Sequence, residues 1–150
     1  MVEQDTIRLL RECDAGIKMG VKSIDDVRGR VRSEELRQKL VKCRDEHIKL
    51  ENEIETLLEQ YGEGSFSKKP GKNPNPVAEV MSKVKTEAML AADCSDSTIA
   101  GLMTDGCNMG VKSLGRYLNQ YEAADERSKD IAKKLIANEK QLADDVMSFL

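Results

Sequence analysis

Apolar positions recur along this chain in steps of three and four, the spacing that keeps side chains on one face of an α-helix. From about Thr6 to Arg32 the stripe runs Ile7, Leu10, Ile17, Val21, Ile24 and Val31, which predicts a first helix. Ser33 then offers a capping oxygen, and Glu34 and Glu35 put negative charge into a first turn, so a second helix is expected to start there. It carries Leu36, Leu40, Cys43, His47, Leu50, Ile54 and Leu57 in alternating steps of four and three, and Gly62 ends it. Residues 62–76, GEGSFSKKPGKNPNP, hold no such stripe and read as a linker. Beyond Pro76, Val77, Val80, Met81, Val84 and Met89 mark a shorter amphipathic crossover helix over about residues 77–92. Ser95 or Ser97 caps a third long helix with Ile99, Leu102, Met103, Cys107, Val111, Leu114 and Leu118, reaching about Tyr121. After a break at residues 122–125, Ala132, Leu135, Glu139, Leu142, Val146 and Phe149 predict a last helix. Every long segment is helical, so the fold class is all-α.

The chain also repeats itself. Residues 16–24 read Gly-Ile-Lys-Met-Gly-Val-Lys-Ser-Ile, and residues 106–114 read Gly-Cys-Asn-Met-Gly-Val-Lys-Ser-Leu. A glycine inside a helix costs roughly 1 kcal/mol relative to alanine, so two of them four apart predict a close backbone approach. The repeat makes the first and third long helices equivalents. A slightly larger offset sets Leu50 on Leu142, Ile54 on Val146 and Leu57 on Phe149, so the second and fourth correspond as well. A duplicated helical hairpin joined by a long connection predicts an antiparallel four-helix bundle with one crossover, forming a single domain over residues 1–150.

On these features the chain resembles the ferritin-like superfamily, and the run from about Met81 through Gly106 and Cys107 to Tyr117 resembles a small bacterial ferritin-like family of unknown activity. What the resemblance implies is a di-iron centre built from one carboxylate on each of two helices and a Glu-x-x-His pair on each of the other two. This chain holds a single histidine, His47, and the residue three before it is Arg44. The position matching His47 on the last helix is Glu139, and the histidine expected three residues further on is Leu142. On the first helix the inward candidates are Asp14 and Glu12, and the repeat sets Thr104 at the place of Asp14. The implied centre is therefore broken, and no cofactor is expected. A residual iron or manganese site would draw on Asp14, His47, Glu51 and Glu139. A direct partnership of His47 with Glu139 accounts for both residues without metal, because an acidic group on a core stripe must be paired.

Composition narrows the function classes. Only 3% of residues are aromatic and 34% are charged, which speaks against a large ligand pocket. A net charge of −3 lacks the one-signed basic surface that nucleic-acid binding requires. No apolar run approaches the roughly 20 residues that span a bilayer, and no signal-like sequence opens the chain, so no membrane association and a cytoplasmic location are expected. Cys13, Cys43, Cys94 and Cys107 lack paired spacing, and three of them fall within helical patterns where a thiol packs as a small apolar group, so buried reduced thiols are expected rather than a disulfide framework or a zinc site. Gly71-Lys72 suggests a phosphate loop, but Phe66 stands where that motif needs glycine and Asn73 where it needs Ser or Thr. A thiol near His47 has the residue types for nucleophilic catalysis, yet nothing in the sequence supplies the orienting third group. Met81, Met89, Met103 and Met109 are expected as core filler, and Tyr117 and Tyr121 as packing residues. The expected function is a structural, interaction or stress-associated module, as a homodimer or with another protein partner. The alternative is a divalent-metal oxidoreductase with an altered site.

Overall fold

The computed structural model describes residues 2–62 and 94–150. Among them are four long helices and no strand: α1 (Val2–Arg28), α2 (Glu34–Gln60), α3 (Asp96–Gln120) and α4 (Glu126–Val146), followed by a short 3-10 turn over Met147–Phe149. The expected linker and the crossover helix at 77–92, with Met81 and Met89, lie outside the described residues. No described helix is long and apolar enough to cross a membrane.

Short polar side chains start three of the helices. Ser33 accepts from the Leu36 N–H, Ser95 from Thr98 and Asp125 from Ser128, each satisfying a first-turn donor that has no intrahelical partner. Gly62, at φ 74°, terminates α2 in the left-handed region that glycine enters without penalty. The first helix ends at Arg28, earlier than its apolar stripe suggests. Arg30 closes a turn onto the Val27 carbonyl at 2.9 Å, and the Arg37 guanidinium reaches the carbonyls of Val31 at 2.6 Å and Arg28 at 3.4 Å. Val31 stays buried although it lies in the turn, which is why the stripe runs on past the helix.

The interior consists of two apolar clusters stacked along the helices. One gathers Leu9, Leu10, Cys13 and Ile17 of α1, Leu50, Ile54 and Leu57 of α2, Leu114 of α3, and Ile131, Ala132 and Leu135 of α4. The other gathers Ile24 and Val27 of α1, Leu36, Leu40 and Cys43 of α2, Ile99, Met103 and Cys107 of α3, and Leu142 and Val146 of α4. Each helix passes from one cluster to the other, and the inward residue at the crossing is Gly20, His47, Gly110 or Glu139. Tyr117 and Tyr121 stack with ring centroids 6.3 Å apart against the first cluster. Met103 is core, as expected, but Met109 is 66% exposed. Met109 sits two residues from Cys107 and one from Gly110, off the face those two present to the interior.

The ends of the two hairpins clasp each other through equivalent bonds. The N–H of Ser33, which caps α2, donates to Asp96 at the start of α3 (2.9 Å), and the neighbouring Arg32 N–H does the same (2.8 Å). The N–H of Asp125, which caps α4, donates to Thr6 near the start of α1 (2.8 Å), and Ala123 N–H donates to Asp5 (3.1 Å). In the offsets of the repeat, Thr6 corresponds to Asp96 and Ser33 to Asp125. At the second end Tyr61 adds a bond from its hydroxyl to Asp125 at 3.2 Å.

Candidate functional site

Between the two clusters the apolar stripe is interrupted by one polar layer. His47 is 2% exposed and Glu139 8% exposed, and the His47 Nε2 lies 3.4 Å from the Glu139 Oε1. The partnership expected from the sequence is thus present. The room for it comes from the repeat glycines. A Cβ on Gly20 would meet the His47 ring at 3.2 Å, and a Cβ on Gly110 would come within 2.8 Å of the Glu139 carboxyl carbon and closer still to its oxygen. Each glycine is the second of its nine-residue repeat, so in both hairpins the first helix yields a notch into which the second helix sets its polar side chain. At Gly16 and Gly106, the first glycine of each repeat, a Cβ would meet nothing within 4 Å.

The other ring nitrogen faces a second set of groups. His47 Nδ1 lies 3.0 Å from the Cys43 carbonyl one turn back, 2.6 Å from the Asn138 Nδ2 and 3.7 Å from the Cys43 Sγ. Asn138 Nδ2 also donates to the Cys43 carbonyl at 3.2 Å. Burial pushes the Cys43 thiol far up, with Cys107 and Glu139 adding to it, and burial with Glu139 pushes Cys107 up to about 12. Burial likewise pushes Cys13 up to about 12. Thiol, imidazole and carboxylate therefore stand in a row, Cys43, His47, Glu139, but the thiol is held in its protonated, unreactive form. Cys13, Cys43 and Cys107 are buried, and Cys94 is exposed.

Asp14 and Glu51 form a separate acidic pair. Asp14 is 6% exposed and accepts from Lys18 at 2.6 Å through Oδ2, while its buried Oδ1 has no hydrogen-bond partner among the described residues. Glu51, on α2, is half-buried; burial raises its carboxyl above the ordinary value, Asp14 raises it further, and Lys18 opposes. Among the described residues no group of three or more His, Cys, Asp or Glu side chains is placed to hold a metal ion.

The residues that a di-iron pair would need are occupied otherwise. Leu142, at the place of the second histidine, is packed in the second apolar cluster, and Arg44, at the place of a Glu, turns outward to Asp25 at 2.7 Å. One imidazole and one carboxylate pressed against two glycine backbones do not fit two iron ions and their bridging carboxylates. The residues that the sequence did not single out are Asn138, which lies one position off the α4 stripe, and the clasp residues Thr6 and Asp96, whose partners are backbone N–H groups. In comparisons with known proteins, no family model, curated protein or solved structure matches this chain.

Proposed function

We propose that the chain is a ferritin-like antiparallel four-helix bundle, formed by duplication of a hairpin, that lacks an intact di-iron centre and works as a structural or interaction module. The order in which the helices cross the two clusters supports the arrangement: α1 and α4 run from the first cluster to the second, and α2 and α3 run the other way. That order requires one long connection between α2 and α3, as a ferritin-like bundle has. The observation that carries the functional reading is the His47–Glu139 contact itself. At mid-bundle, where a metal enzyme of this architecture sets its ligands, the two corresponding side chains meet each other directly. Met19 and Met109, equivalent in the repeat and both exposed, offer adaptable apolar surface to a second copy or another protein in the cytoplasm.

The test is metal analysis of the full chain purified without chelator, together with its melting temperature before and after adding ferrous or manganous ion. No stoichiometric metal and an unmoved Tm are expected. Two equivalents per chain with a raised Tm would overturn the reading and favour a divalent-metal oxidoreductase using an altered site.

A further inference from the structure

We infer that Asn138 is a positioning residue whose amide donates to His47 Nδ1 and keeps the ring proton on Nε2, leaving neither ring nitrogen free for a metal. The inference rests on the hydrogen-bond geometry around the ring and stands whether or not the bundle serves as an interaction module.

The groups around the ring permit few consistent assignments. Asn138 Nδ2 has two hydrogens and two acceptors within reach, His47 Nδ1 at 2.6 Å and the Cys43 carbonyl at 3.2 Å. If the amide donates to both, Nδ1 must carry a lone pair, and the ring proton sits on Nε2, directed at the Glu139 carboxylate at 3.4 Å. Each polar atom then has a partner of opposite kind, and the one like-kind approach left is the Nδ1 lone pair 3.0 Å from the Cys43 carbonyl oxygen. The Cys43 thiol, 3.7 Å from Nδ1 and kept protonated by burial, is a second, weaker donor facing that lone pair.

The opposite tautomer fails on two counts. A proton on Nδ1 would donate to the Cys43 carbonyl at 3.0 Å but would force the Asn138 amide, 2.6 Å away, to turn its oxygen inward, setting that oxygen 3.2 Å from the same carbonyl. It would also leave a bare Nε2 against a carboxylate oxygen, two acceptors facing each other in a buried layer. A doubly protonated ring repairs the second contact but keeps the first. The pseudo-equivalent of Asn138 on α2 is Glu46, which is exposed and pairs with Lys49, so only the histidine half of the layer has this support.

Because the chain has a single histidine, its imidazole gives one unambiguous spin system. Long-range proton–nitrogen correlation spectra of the nitrogen-15-labelled full chain at neutral pH read the protonation of each ring nitrogen directly. The wild type is expected to show a protonated Nε2 and an unprotonated Nδ1. Asn138→Asp, which puts an acceptor where the donor was, is expected to move the proton to Nδ1 or to protonate both nitrogens, and Asn138→Ala to give a mixture of tautomers. A wild-type Nδ1 that carries a proton overturns the inference, as does a wild-type pattern that persists in a folded Asn138 variant. Should neither variant fold, the wild-type spectrum decides by itself.

Discussion

The two hairpins solve the same packing problem with different chemistry. In the first, Gly20 makes room for a flat ring that a methyl group would only graze at 3.2 Å, and Asn138 and the Cys43 carbonyl engage the far side of that ring. In the second, Gly110 makes room for a carboxylate that presses on the backbone so closely that no side chain fits between them. At Gly20 the ring has to give by only a few tenths of an ångström, whereas at Gly110 the Glu139 carboxylate has to leave its place. Two hairpins with matching apolar faces can thus carry different polar groups where they meet, provided that the two groups complement each other.

The largest effect should come from emptying the first notch. His47→Ala leaves a ring-sized void and strands both Glu139 and Asn138, so urea unfolding is expected to show a loss of about 3–4 kcal/mol. The asymmetry of the notches is the next test. Gly110→Ala should cost about 1–3 kcal/mol because it expels the Glu139 carboxylate. Gly20→Ala should change stability by no more than about 0.5 kcal/mol, since the roughly 1 kcal/mol of helix propensity gained offsets the crowding. Equal effects at both glycines would erase the comparison. The clasps sharpen it at the bundle ends. Asp96→Ala unpairs two backbone N–H groups and should cost about 1–2 kcal/mol in a thermal melt, against about 1 kcal/mol for Thr6→Ala, which unpairs one.

The smallest effect concerns Glu51. Its folded-state carboxyl titrates above the unfolded value, chiefly through burial, so it weighs against the fold only once ionised. That penalty is absent below the unfolded pKa and grows as pH rises through the folded one. Glu51→Gln should therefore be slightly more stable than the wild type at pH 7, with the difference vanishing as the solution is acidified past the carboxylate range; stability followed from acid to neutral pH checks the sign.

Much of this is legible in the sequence, for reasons that can be named. His47 and Glu139 stand on core stripes and at matching places in the repeat, so their meeting follows from periodicity and the internal repeat together. The glycines announce themselves by their cost in a helix. The clasps do not, because a backbone N–H leaves no residue-type signature, although the offsets that pair Leu50 with Leu142 also pair Ser33 with Asp125. Asn138 lies off the stripe and gains its role only from the neighbouring helix. Met109 departs from its expected place in the core because helical spacing in a methionine-rich chain looks the same on either face. The end of α1 departs from the stripe because Val31 stays buried after the helix has stopped.

The central claim is that the two interior polar groups depend on each other. A double-mutant cycle on His47→Leu and Glu139→Leu, measured by equilibrium unfolding, tests it most directly. If each group is stranded by loss of the other, both single variants are destabilised by about 2–4 kcal/mol and the double variant is more stable than either. Costs that simply add, leaving the double variant the least stable of the three, would contradict the account.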